Sequence, residues 1–102
     1  MKEATRINQF LDDCKNAECI NLVLLLQTAD FEMSFLDIDK SGIRYTEQTN
    51  CINVGGLNDN YRLTFPVVEL EESETDPEDI LLTKAEWVLT TSGGLTVYFM
   101  LR

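Results

Sequence analysis

Apolar residues recur every three or four positions at the start of the chain and every second position from Phe31 onward. That change of period predicts most of the architecture. Ala4, Ile7, Phe10, Leu11 and Cys14 fall on one stripe, while Lys2, Glu3, Arg6, Asp12, Asp13 and Lys15 fall on the other faces. The pattern is that of an amphipathic helix ending near "KNAE" at residues 15–18. The next stretch, "CINLVLLLQT", loses the helical period and becomes a continuous apolar run. Such a run fits a central strand covered on both faces, and a buried helix has the same signature.

From Phe31 the alternation is strict, with Phe31, Met33 and Phe35 separated by Glu32 and Ser34. "IRYTEQ" continues it, "CINV" adds a short apolar stretch, "GGLNDN" supplies turn residues, and "YRLTF" precedes Pro66. These segments predict a meander. The clearest hairpin is C-terminal: "EWVLTT", the loop "SGG", then "LTVYFML", in which Leu95, Val97, Phe99 and Leu101 share a face. Between meander and hairpin lies "ELEESETDPEDILLTK", where Thr75 and Glu78 have capping-box spacing and Pro77 suits a first helical turn. Residues 69–79 are thus an acidic loop or the start of a short helix. The expected fold is α+β: a single small domain over residues 1–102, with the N-terminal helix packed on a mostly antiparallel sheet of five to seven strands.

Composition agrees with one core, since 102 residues with 44% hydrophobic content suffice for one domain and not for two. The longest apolar run, Leu22 to Leu26, is far shorter than the ~20 residues of a membrane span, and "MKEATRINQF" lacks the apolar segment of a signal peptide. A cytoplasmic, non-membrane protein is expected. Cys14, Cys19 and Cys51 are an odd number, and without any His they lack a fourth soft ligand for zinc. Reduced thiols are therefore expected, with no metal and no cofactor.

One stretch, "DIDKSG" at residues 37–42, spells the opening of a calcium loop. Asp37, Asp39, Ser41 and Gly42 satisfy the first ligand positions and the glycine. Arg44 then occupies the apolar position, and Gln48 stands where a bidentate Glu belongs. The flanking segments have strand rather than helix periodicity. Asp39-Lys40-Ser41-Gly42 instead has the chemistry of a type I turn, with Gly42 at positive φ as the bulge that closes a hairpin. A small-ligand or metal module built on Asp37 and Asp39, or on the thiols, ranks last among the functional readings.

Catalytic parts are missing. Nucleophilic catalysis usually takes His as its base, and the chain has none. Gly55-Gly56 and Gly93-Gly94 lack a phosphate-loop pattern and read as turns. Trp87, Tyr98 and Phe99 read as core and ordinary surface rather than a base-stacking platform. No enzymatic activity is expected.

Charge supplies the remaining signal. The 8 basic and 18 acidic residues leave a net charge of −10, which favours a basic partner and disfavours direct contact with nucleic acid or anionic lipid. Glu69, Glu71, Glu72, Glu74, Asp76, Glu78 and Asp79 form a run without a basic residue, the candidate partner-binding site. A run of this kind keeps a small domain soluble; it can also stand in for phosphates on the Arg and Lys residues of a nuclease or other nucleic-acid-binding enzyme. Small acidic proteins of this class include anti-CRISPR inhibitors carried by phages and mobile elements, and nuclease-immunity proteins; the likeness is one of size and charge, and no motif aligns. The leading expectation is an inhibitor, acting as a nucleic-acid mimic, that blocks the substrate site of such a partner. The alternative is an assembly subunit, with a homodimer formed through an exposed C-terminal strand, Leu95 to Leu101.

Overall fold

A computed structural model describes residues 2–55, 61–73 and 85–102. Helix α1, Lys2–Asn16, is followed by strands β1 Ile20–Leu26, β2 Phe31–Phe35, β3 Arg44–Thr46, β4 Cys51–Val54, β5 Leu63–Pro66, β6 Glu69–Ser73, β7 Ala85–Thr90 and β8 Leu95–Leu101. The α+β class expected from the pattern is the observed one. The strands form two sheets, a five-stranded one in the order β2-β1-β8-β7-β6 and a three-stranded one in the order β3-β4-β5, with every pairing antiparallel.

Ile7, Phe10 and Cys14, at the three- and four-residue spacing of the sequence, are the buried stripe of α1. Lys15 lies in the last turn, where a positive charge suits the helix dipole. Just past the helix the Lys40 ammonium donates to the Ala17 carbonyl at 2.7 Å, tying the helix end to the segment that follows β2. Ile20, Leu22 and Leu24 of β1, Val97, Phe99 and Leu101 of β8, Trp87 and Leu89 of β7 and Leu70 of β6 share the inner face of the large sheet and are all buried. Ile52, Val54 and Phe65 of the small sheet join the same core as the helix residues. Two kinds of cover, one helix and one meander, thus bury a single sheet face.

The C-terminal hairpin forms with the loop predicted for it. Thr91 donates its amide to the Leu95 carbonyl at 3.0 Å, leaving Ser92-Gly93-Gly94 as the loop, with Gly93 at φ 96° and Gly94 at φ 85°. Positive φ at both positions is what glycine supplies without a steric cost. The meander β3-β4-β5 is also as expected.

Three local expectations are corrected. The segment after β2 has the predicted turn chemistry: Gly42 donates its amide to the Asp39 carbonyl at 3.0 Å, and the Asp39 carboxylate accepts from the Ser41 amide and hydroxyl at 3.0 and 2.7 Å. It closes no hairpin, however, because β2 and β3 belong to different sheets, and the positive φ falls on Asp37 rather than Gly42. Its Ile38 amide bonds the Ile20 carbonyl at 2.9 Å, so the chain is held at the start of β1 while it crosses to the small sheet. Second, β8 is not an edge: it pairs with β1 on one side and β7 on the other, so its backbone has no free side for another subunit. Third, β1 is an interior strand fully buried on one face, that of Ile20, Leu22 and Leu24, while Asn21, Val23 and Leu25 on the other are half-buried. The helix packs on an antiparallel sheet of five strands, within the expected five to seven, and the remaining three strands form a separate small sheet. The expected helix start at Thr75 to Asp79 lies outside the described residues.

Candidate functional site

Among the described residues, the free edges of the large sheet are β2 and β6. Edge β6 carries the first part of the acidic run, Glu69, Glu71 and Glu72; Glu74, Asp76, Glu78 and Asp79 lie outside the described residues. Strand alternation fixes the disposition of the three. Leu70 turns into the core, and Glu69 and Glu71 point to the opposite, outer face about 7 Å apart. Glu72 shares the face of Leu70 and lies opposite Trp87 across the strand pair.

Glu69 and Glu71 crowd one another. A hydrogen bond to Glu71, together with the charge of that neighbour, raises the Glu69 carboxyl above its ordinary range. Arg6 from α1 reaches Glu71 at 3.6 Å, with both side chains about half exposed, so the pair contributes little to stability. Gln9 lies 3.5 Å from Glu72, a long contact at the limit of a hydrogen bond. Arg6, Gln9, Glu71, Glu72 and Trp87 line an open cleft of about 390 Å³ between helix and edge strand. Beneath it, the Trp87 indole donates to the Asp13 carboxylate at 2.9 Å, which fixes the helix against β7. Trp87 and Phe99 are core residues, so neither offers a stacking surface.

The outer face of the large sheet adds a feature that the sequence reading missed. Val23, Tyr98 and Val88 are cross-strand neighbours in one row, which ends at Glu71; Leu25, Thr96 and Thr90 form the next row, which ends at Glu69. Met100 and Glu86 continue the band. All but the two terminal glutamates are half-buried, and among the described residues no helix or strand lies over them. An apolar band therefore leads across the sheet to an acidic margin of Glu69, Glu71 and Glu86. The signal for it was present: in "NLVLLL" and "LTVYFML" both alternating sets contain large apolar residues.

Elsewhere, Asp39 is occupied by Ser41, and among the described residues no group of three or more Cys, Asp or Glu side chains is gathered to hold a metal. The hydrogen bonds from Ser41 hold the Asp39 carboxyl below its ordinary value. All three cysteines are free. Burial, with help from the Asp13 charge, pushes the Cys14 thiol up to about 12, the opposite of what a nucleophile needs. No helix among the described residues is long and apolar enough to cross a membrane. No family model, curated protein or solved structure matches the chain.

Proposed function

We propose that this protein is a non-enzymatic binding module that inhibits a basic, nucleic-acid-processing protein by covering its substrate site. The observation that carries the reading is an outer sheet face that, among the described residues, no element covers and that ends in the carboxylates of the edge strand β6. Apolar contact area supplies affinity, and the rim carboxylates supply orientation and a fast approach to cationic surfaces. A net charge of −10 adds long-range steering toward such a partner. Residues that normally grip phosphates, above all Arg, would meet Glu69, Glu71 and Glu86 instead. The remaining acids of the run, Glu74, Asp76, Glu78 and Asp79, extend the same charge in sequence.

The test is capture of partners from a lysate of the native host, with and without added DNA, comparing wild type with the Glu69→Gln, Glu71→Gln, Glu72→Gln variant. The reading expects a basic nucleic-acid enzyme that DNA competes away and that the variant holds only at lower salt. Capture that is indifferent both to DNA and to the three substitutions overturns it.

A second reading, self-assembly, moves from β8 to the other edge. On β2, Phe31 and Met33 are 44% and 42% exposed and Leu36 beside them is 76% exposed. An antiparallel pair of β2 strands centred on Met33 places Phe31 opposite Phe35 and Glu32 opposite Ser34, with no like charges facing. Sedimentation over a concentration series tests it. A dimer that persists in high salt and is lost in Met33→Lys supports the pairing, and a monomer throughout rejects it.

A further inference from the structure

The small sheet has an outer face of opposite character, and its chemistry is independent of the acidic edge. Arg44 and Thr46 on β3, Asn53 on β4, and Arg62 and Thr64 at β5 line an open cleft of about 320 Å³, together with Gly42, Gly55 and the backbone near Val54 and Leu63. That volume is at the lower end of the range for small-ligand sites. Two of the chain's eight Lys and Arg residues therefore meet in one cleft whose lining, among the described residues, contains no carboxylate. Among the described residues neither guanidinium is in an ion pair.

The polar groups between them are ordered. The Thr64 hydroxyl donates to Asn53 Oδ1 at 3.0 Å, and Asn53 Nδ2 donates to Thr46 Oγ1 at 2.9 Å. This direction leaves the Thr46 hydroxyl proton and the second Asn53 amide proton without a partner among the described residues. The cleft is thus rich in donors, with a cation at either end. Register places the cations: Arg44 is opposite Asn53, which is opposite Thr64, and Arg62 lies two residues before Thr64. Gly55 holds that end closed. At φ 123° it packs so near the next strand that a Cβ would sit 2.4 Å from the Tyr61 carbonyl oxygen, so only glycine lets the backbone bring Arg62 to the cleft.

We infer that this face binds a phosphate group, as the free ion or as a small monoester, between Arg44 and Arg62. A dianion with three or four acceptor oxygens matches two forked guanidiniums and the intervening donors better than a single carboxylate does. The overall negative charge does not forbid it, because screening over about 8 Å at physiological salt leaves the nearest charges in control.

The experiment is a two-dimensional amide NMR titration at constant ionic strength with inorganic phosphate and, separately, with glucose 6-phosphate. Saturable shifts are expected at Arg44, Thr46, Asn53, Gly55, Arg62 and Thr64. In the Arg44→Gln, Arg62→Gln variant, affinity should fall about tenfold or more, since charged hydrogen bonds are lost. Both arginines are exposed, so the variant should melt with wild type, which confirms that the loss is local. Tighter binding of the sugar phosphate identifies the monoester as the ligand, and equal binding identifies the free ion. Shifts that do not saturate with either probe, that fall elsewhere on the protein, or that are unchanged in the variant overturn the site.

Discussion

Phe10 is the residue through which the helix meets the sheet, and its replacement offers the sharpest test of the architecture that positions both candidate sites. Its ring is fully buried and makes edge-on contacts with Trp87 at 5.6 Å and 74° and with Phe99 at 4.8 Å and 71°. Phe10→Ala removes the ring and leaves a cavity, which costs about 3–5 kcal/mol. Phe10→Leu keeps most of the apolar volume and forfeits the edge contacts, so its cost should be about 1–2 kcal/mol. A domain of this size holds roughly 5–15 kcal/mol in total, so the alanine variant is marginal and the leucine variant remains folded. Urea unfolding followed by circular dichroism measures both, with an unchanged slope confirming that the same two states are compared. Fluorescence gives an independent view, because Trp87 is the chain's single tryptophan and touches the substituted ring. A loss below about 1.5 kcal/mol in Phe10→Ala would place the ring outside a packed core. Equal losses in the two variants would show that ring geometry and cavity volume are not what the site responds to.

Three further outcomes are expected. In a double-mutant cycle of Asp13→Ala and Trp87→Phe, the coupling should be about 1–3 kcal/mol for the 2.9 Å indole–carboxylate bond, and a coupling near zero would mean the two do not interact in solution. Ser41→Ala, which removes the hydroxyl donor and keeps the backbone amide, should raise the Asp39 pKa part of the way toward its ordinary value in an NMR titration; because the folded pKa is lowered, the wild-type contribution is present above the unfolded pKa and is lost as pH falls through the folded one, so the variant should differ from wild type above that acidic window and converge with it below. A thiol reagent at neutral pH should label Cys19 and Cys51 before Cys14, whose thiol is buried and pushed up to about 12; mass mapping that found Cys14 labelled first in the folded protein would contradict its burial.

What the sequence made legible was what local pattern determines. The stripe of Ile7, Phe10 and Cys14 named the helix and its buried face, and Ser92-Gly93-Gly94 named the turn and the register of β7 with β8. What it concealed was the choice of partner strand. Asp39 to Gly42 makes the same turn bonds whether the chain reverses onto β2 or crosses to another sheet, so turn chemistry could not exclude a hairpin. The pairing of Ile20 with Leu101 joins the two ends of the chain and turns an apparently terminal strand into an interior one, and no local period encodes that. The same distinction applies to the sites. Glu69, Glu71 and Glu72 were visible as a charge run, but their place on a free edge depends on strand order. Arg44 and Arg62 are 18 positions apart, and only the β3-β4-β5 register brings them to one cleft.

The two free edges of the large sheet are unlike, and the difference bears on what each can accept. Edge β6 presents Glu69, Glu71 and Glu72, three carboxylates within four residues. A second copy aligned there would add like charges opposite one another, which disfavours self-pairing at this edge and is consistent with the cationic partner proposed above. Edge β2 carries a single acid, Glu32, between exposed Phe31 and Met33, and a second copy can avoid setting Glu32 against itself. Salt separates the two behaviours: it screens attraction at the acidic edge and strengthens or leaves unchanged association through the apolar one. Edge β2 adjoins β1, where the apolar band begins, so a second copy paired at β2 and a partner laid over the outer face would meet at that side of the sheet.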